Sequence, residues 1–209
     1  IVTTPHIATS GLYDPATSLF YLRSTNSTGA ADTVFGFGAP GAGWKAVAGD
    51  WNGDGVSSIG LYDPGTSTFF LRNENSTGAA DYTFGYGDPT AGDRYVLVMG
   101  DWNGDGVDTV GLYDTQTACW YLRNSNSAGY ADAAFGYGLP GSTWSPVAGD
   151  WNGDGVDTVG FYDAQTAVYY LRNTNDMGYA DYAFGYGAPG STWTRSAGDW
   201  DGNRTAALG

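Results

Sequence analysis

Residues 100–114 read Gly-Asp-Trp-Asn-Gly-Asp-Gly-Val-Asp-Thr-Val-Gly-Leu-Tyr-Asp, and nearly the same stretch stands at 49–63 and again at 149–163. Aligning the chain on the Gly-Leu/Phe-Tyr tripeptide inside it puts Gly11, Gly60, Gly111, Gly160 and Gly209 in register, separated by 49, 51, 49 and 49 residues. A fixed period of this length marks a solenoid, a propeller or an array, because each unit can bury its apolar face only against the next. The units 11–59, 60–110, 111–159 and 160–208, with strand-like segments at 1–10 and 205–209, make one repeat domain.

Working outward from 100–114, the third unit holds four short strand candidates: Thr109 to Asp114, Cys119 to Asn124, Ala133 to Tyr137 and Ser145 to Gly149. Gly, Asn, Asp, Ser and Pro clusters separate them, and no 3.6-residue periodicity intervenes. Four antiparallel strands per unit are the anatomy of a propeller blade. The fold class expected is therefore all-β, a β-propeller of four roughly 50-residue, four-stranded blades; an open blade array or a fragment of a larger propeller is the alternative. Phe20, Phe69, Trp120 and Tyr169 share a strand face with Leu22, Leu71, Leu122 and Leu171, while the aromatics at 21, 70, 121 and 170 point the other way. Sheets apolar on both faces must be packed on both sides, as stacked blades are. The Gly-rich Gly-Leu-Tyr strand suits the innermost position, where neighbouring blades converge.

Composition narrows the partners. Aromatic residues make up 16% of the chain and charged residues 14%, with a net charge of −14. That is not the profile of an acidic disordered tail, so the carboxylates serve local purposes. Eight basic residues spread singly offer no phosphate-binding patch, which argues against nucleic acid and anionic membranes. No apolar run approaches the ~20 residues of a spanning helix, so no membrane insertion is expected. Cys119, the single cysteine, replaces Leu19, Thr68 and Val168 at its repeat position and reads as filler. Ile1-Val2-Thr3 carries neither an initiator methionine nor a signal peptide and reads as a mature or excised segment.

The loops Asp50 to Val56, Asp101 to Val107 and Asp150 to Val156 all read Asp-Trp-Asn-Gly-Asp-Gly-Val. Oxygen ligands at alternate positions, followed by a glycine that permits a sharp turn, are what a hard cation needs from a short loop. Asp101, Asn103 and Asp105 would supply side-chain oxygens and Val107 a backbone carbonyl, with the turn at Gly106. The equivalent sets are Asp50, Asn52, Asp54 and Val56, and Asp150, Asn152, Asp154 and Val156. A flexible multi-oxygen loop suits Ca²⁺ better than Mg²⁺, and the lack of His and Cys ligands sets zinc and copper aside. Asp-Gly and Asn-Gly also occur as plain hairpin turns, a reading weakened by the threefold recurrence.

With its Gly-Asp-Trp-Asn-Gly-Asp-Gly loops followed by Val-Asp-Thr-Val-Gly-Leu-Tyr-Asp, the chain resembles the FG-GAP or VCBS-type calcium-binding repeats of secreted bacterial proteins and integrin α-subunit propellers. The resemblance covers nearly the whole chain. It implies a secreted, extracellular or cell-surface location, and calcium contacts from Asp50, Asn52 and Asp54, from Asp101, Asn103 and Asp105, and from Asp150, Asn152 and Asp154. Family loops place a further carboxylate at the ninth position, which here is Ser58, Thr109 and Thr158; Asp108 and Asp157 stand one residue early and Ser57 replaces them in the first loop. A one-residue shift on a strand turns a side chain to the opposite face. The last loop, Asp199 to Arg204, loses the turn glycine and is degenerate.

Arg23, Arg72, Arg123 and Arg172 recur in step with Asp32, Asp81, Asp132 and Asp181, a one-to-one count that reads as structural pairing rather than as a ring of ligands. The Phe-Gly-Tyr/Phe-Gly runs at 35–38, 84–87, 135–138 and 184–187, with Trp44, Trp144 and Trp193 nearby, read mainly as packing between blades. Trp51, Trp102, Trp151 and Trp200 are expected to pin the loops onto the sheets. His6 is the only histidine, and nearly every Asp recurs from unit to unit, whereas an active site is one asymmetric constellation. No enzyme is expected. Asn26, Asn75 and Asn203 open N-glycosylation sequons. The function expected is a non-enzymatic, calcium-binding module for adhesion or binding of a protein or glycan ligand. Two alternatives stand beside it: a fibre or array subunit self-associating by terminal strand exchange, for which the duplicated first strand at 7–14 and 205–209 is the motive, and a lectin presenting Tyr86 or Tyr137.

Overall fold

Every first hairpin of a unit closes on the same side-chain chemistry. In the computed structural model of the chain, which describes residues 9–192, 197–201, 203 and 205–208, the Asp63 carboxylate accepts from the Gly65 backbone N–H at 2.9 Å and from the Thr66 hydroxyl at 2.7 Å. Asp14, Asp114 and Asp163 accept in the same way from the residue two positions on. Each turn ends on a residue with positive φ, at Ser18, Ser67, Ala118 and Ala167. A carboxylate that satisfies the turn's own donors lets the chain reverse within a few residues.

The strands so joined are β1 Gly11–Asp14, β2 Leu19–Leu22 and β3 Thr33–Gly36, which form blade 1. Blade 2 holds β4 Lys45–Gly49, β5 Ser58–Asp63, β6 Thr68–Leu71 and β7 Tyr82–Gly85. Blade 3 holds β8 Tyr95–Gly100, β9 Thr109–Asp114, β10 Cys119–Leu122 and β11 Ala133–Gly136; blade 4 holds β12 Ser145–Gly149, β13 Thr158–Asp163, β14 Val168–Leu171 and β15 Tyr182–Gly185. A two-stranded pair, β16 Ala197–Gly198 and β17 Ala207–Leu208, follows. All pairings are antiparallel, and the four blade sheets are arranged as a four-bladed β-propeller. His6, Trp193, Arg204 and Gly209, singled out in the sequence, lie outside the described residues.

The repeat places one strand differently from expectation. β4, β8, β12 and β16 touch in succession around the axis, so the innermost strand is the Lys45–Gly49 type, and the Gly-Leu-Tyr strand is second. The glycines of that second strand make room for the flanking strands of their own blade rather than for a neighbouring blade: a Cβ on Gly60 would lie 2.6 Å from Leu71 Cδ2 and 2.8 Å from Val47 Cγ2. Blades are accordingly offset from the sequence units by one strand. Blade 1 has three strands, with β1 as its edge, and β16 pairs with β17. A cavity of about 890 Å³ at the axis is lined by β1, β4 and β16.

The core lies between blades. Leu61 of β5 packs on Phe20, Phe35 and Phe37 of blade 1; Leu112 of β9 packs with Phe84 and Tyr86 of blade 2. Phe161 of β13 sits 5.0 Å from the Tyr113 ring, 5.2 Å from Trp120 and 5.3 Å from Tyr137, all of blade 3. Each blade thus offers a leading face, centred on one Leu or Phe, to the trailing aromatic face of the blade before it. Trp44 and Trp144 stack on Phe70 and Tyr170 of their own blades, both at 4.8 Å between centroids. Fully burying such side chains is worth about 1.5–3 kcal/mol each, which makes the junctions the main source of stability.

Candidate functional site

The three Asp-Trp-Asn-Gly-Asp-Gly-Val loops leave the ends of the inner strands β4, β8 and β12 on one rim of the propeller. Two glycines per loop take positive φ, at Gly53 and Gly55, Gly104 and Gly106, and Gly153 and Gly155, a conformation that disfavours other residues. The loop then coils around its first carboxylate. Asp50 Oδ1 accepts from the N–H of Gly53 at 2.8 Å and of Asp54 at 3.1 Å, and Oδ2 from that of Gly55 at 2.7 Å. Asp101 and Asp150 hold the corresponding three N–H groups. Asn52 Nδ2 donates to Asp54 Oδ2 at 3.0 Å, and Asp54 Oδ1 accepts from Val56 N–H at 2.8 Å; the same pair of bonds recurs at Asn103 and Asp105 and at Asn152 and Asp154. The structure therefore brings together each predicted set of side chains within one turn of chain.

The degenerate loop keeps part of this pattern. Asn203 N–H donates to Asp199 Oδ1 at 3.0 Å and to Asp201 Oδ1 at 3.1 Å, with Asn203 standing where the other loops have their second Asp. Trp51 and Trp102 are buried and Trp200 is half out in solvent, so the pinning expected of these tryptophans weakens toward the last loop. The Trp51 indole N–H donates to the Ile59 carbonyl at 3.2 Å.

Positions eight and nine separate cleanly. The hydroxyls of Ser58, Thr109 and Thr158 turn away from the loops and donate to the carbonyls of Arg72, Arg123 and Arg172 at 2.6, 2.6 and 2.7 Å. Asp108 reaches back to the loop of the preceding blade: its Oδ2 accepts from Asp50 N–H at 2.7 Å, while its own N–H donates to the Asp50 carbonyl at 2.8 Å. Asp157 does the same to Asp101, at 2.9 and 2.8 Å. At the third loop Ala206 N–H donates to the Asp150 carbonyl, with a methyl in place of the carboxylate. Burial, reinforced by neighbouring carboxylates, pushes the Asp108 carboxyl up to about 6 and that of Asp157 up to about 7. This blade-to-blade staple was not read from the sequence; its signal was the carboxylate at the eighth position of two loops, Asp108 and Asp157, rather than at the ninth.

The donor set of one loop is two carboxylates, one carboxamide and the Val56, Val107 or Val156 carbonyl. Among the described residues no three His, Cys, Asp or Glu side chains converge on one point. Hard oxygen donors suit calcium, whose six to eight ligands would be completed by water. Zinc and copper want the nitrogen and sulfur these loops lack.

Other singled-out residues fall elsewhere. Arg23 and Arg123 pair with Asp32 and Asp132 at 3.3 and 3.2 Å, but Arg72 pairs with Glu74 and Arg172 with Asp176, which corrects the one-to-one scheme. All four guanidiniums donate to a carbonyl across their own loop, at Ala30, Ala79, Tyr130 and Tyr179, so each closes the connection between its blade's last two strands. Tyr86 and Tyr137 are buried in blade junctions and present no ring to a sugar; among the described residues the most exposed rings are Tyr130 and Tyr179, on the outer loops of blades 3 and 4. Asn26 and Asn203 are exposed, whereas Asn75 Nδ2 donates to the Ser57 carbonyl at 3.0 Å, a bond that a glycan on this nitrogen would take away. No helix among the described residues is long and apolar enough to cross a membrane. No family model, curated protein or solved structure matches the chain.

Proposed function

We propose that the chain is a non-enzymatic, extracellular or cell-surface calcium-binding module of the FG-GAP/VCBS type, whose loops stiffen one propeller rim that presents a protein or glycan ligand site. The observation that carries the reading is the threefold repetition of one loop geometry, with Asp50, Asn52 and Asp54 and their two counterpart sets each folded onto a single turn. Calcium would be held by those three side chains and the Val56 carbonyl, by Asp101, Asn103, Asp105 and Val107, and by Asp150, Asn152, Asp154 and Val156. Because Asp108 and Asp157 tie the loops of successive blades together, ordering one loop would stiffen the next.

The test is thermal unfolding after chelator dialysis, with and without added calcium. A ligand that binds only the folded state, at a concentration about a hundredfold above its Kd, contributes about 2.7 kcal/mol. In a chain of this size that raises Tm by about 5–10 °C. Magnesium at the same concentration should give a smaller shift, and the combined variant Asp54→Asn, Asp105→Asn, Asp154→Asn should lose the calcium response while retaining its far-ultraviolet spectrum. Superimposable melts with chelator and with calcium overturn the reading. For a glycan ligand the residues to replace are Tyr130 and Tyr179, and loss of glycan-array binding in Tyr130→Ala, Tyr179→Ala is the expected result.

A further inference from the structure

Each Asp-Trp-Asn-Gly-Asp-Gly-Val loop offers three oxygen-bearing side chains and one carbonyl, short of the oxygens with which calcium surrounds itself. A second loop of the same blade lies beside it. The Thr109 hydroxyl, where the loop of blade 3 ends, donates to the carbonyl of Arg123, where the outer loop 123–132 begins, and the Ser58–Arg72 and Thr158–Arg172 bonds do the same in blades 2 and 4. From each outer loop one carboxamide reaches across. Asn75 Nδ2 donates to the Ser57 carbonyl at 3.0 Å, Asn126 Nδ2 to the Asp108 carbonyl at 2.9 Å and Asn175 Nδ2 to the Asp157 carbonyl at 2.9 Å. In every case the acceptor directly follows the valine whose carbonyl is a calcium donor. These bonds fix which way the amide points, because turning it over would set oxygen against oxygen.

The other end of the same three amides is unanswered. The Oδ1 atoms of Asn75, Asn126 and Asn175 are buried and meet no donor among the described residues. Buried amide oxygens normally have a partner, and here the same one is left over beside all three loops. The Oδ1 atoms of Asn73 and Asn173 are orphaned too, but Asn124, their counterpart in blade 3, is exposed, so only the first set recurs with the loops. In blade 2, Asn75 lines the axial cavity together with Gly55, Val56 and Ser57.

We propose that Asn75, Asn126 and Asn175 each give Oδ1 as a further ligand to the calcium ion held by the loop of their own blade. This rests on the calcium reading above. Calcium accepts carboxamide oxygen as it does carboxylate, and it is the partner that a loop short of oxygens and an acceptor short of a donor have in common. The outer loop then becomes part of the site. Arg123 and Arg172, at its start, donate to the carbonyls of Tyr130 and Tyr179, so a cation that fixes Asn126 or Asn175 also orders the loop that presents the exposed ring.

Terbium tests the proposal, since it takes oxygen ligands as calcium does, is sensitised by tryptophans such as those in these loops, and reports its bound waters through luminescence lifetimes in H₂O and D₂O. The combined variant Asn75→Ala, Asn126→Ala, Asn175→Ala should hold about one more water per site than the wild type. By titration calorimetry it should bind calcium about tenfold or more weakly. The combined variant Asn75→Asp, Asn126→Asp, Asn175→Asp keeps an oxygen and loses the donor. It should retain the wild-type water count and bind calcium at least as tightly, although it melts lower in chelator. A structural role for the amides predicts instead that both variants are equally weak and that neither gains a water. That result, or an unchanged water count that leaves the oxygen to solvent, overturns the proposal and leaves the calcium reading standing; a wild type that binds neither ion overturns both. Asn126→Ala alone replaces the alanine variant if its spectrum shows unfolding, the extra water then appearing at one site of three.

Discussion

At Gly60, Gly111 and Gly160 a methyl group has no room, because the strands on either side lean a leucine and a valine into the space above the backbone. A Cβ on Gly160 would lie 2.6 Å from Leu171 Cδ2 and 3.1 Å from Val147 Cγ2, inside van der Waals contact with two well-packed side chains. Overpacking of this kind costs about 1–3 kcal/mol. Gly60→Ala and Gly160→Ala should each lower the urea midpoint accordingly. Gly136→Ala is the control, since a Cβ there meets nothing within 4 Å, and its midpoint should change little. These recurring glycines were legible as a strand constraint; which neighbours enforced it was not, because the leucine and the valine belong to strands on opposite sides.

At the scale of the element, the loops behave as links in a chain around the axis rather than as separate turns. Asp108 exchanges two hydrogen bonds with Asp50 of the preceding blade, and Asp157 with Asp101. Asp108→Ala leaves the Asp50 N–H without its acceptor in a buried setting, which costs about 1–3 kcal/mol. Asp108→Asn keeps a carbonyl oxygen for that N–H and removes a charge that burial disfavours, so it should melt at or above the wild type. Calorimetry on the two variants separates a role in hydrogen bonding from one in charge. The third loop has Ala206 at this position and provides an internal comparison: its hydrogen exchange at Gly153 and Gly155 should be faster than at Gly104 and Gly106.

Across the whole molecule, stability follows the junctions. Among the described residues blades 2 and 3 are packed on both faces, while Leu12 of blade 1 and Phe184 and Tyr186 of blade 4 are largely exposed. In repeat architectures each unit's stability is its own plus that of its two interfaces. Native-state hydrogen exchange should therefore show the slowest amides in β5, β6, β9 and β10, and faster exchange in β1 and β15. Uniform protection across the four blades would count against a stability organised by junctions.

The sequence by itself determined the period, the strand segments, the turn chemistry and the identity of the packing residues, because these depend on residue type and short-range geometry. Thr109 to Asp114 and Ser145 to Gly149 are strands with the predicted bounds, and the Phe-Gly-Tyr-Gly runs of blades 2 and 3 are buried as expected. Only the tertiary structure decided the phase of the repeat, since a period reads the same from any starting strand and the innermost one is defined by what meets at the axis. It likewise decided that Asp108 serves the loop of another blade, a contact between residues 58 positions apart. Phe184 and Tyr186 make the limit plain: their run is the same as that of Phe135 and Tyr137, yet they stand in solvent, because burial is a property of the neighbouring surface and not of the residue.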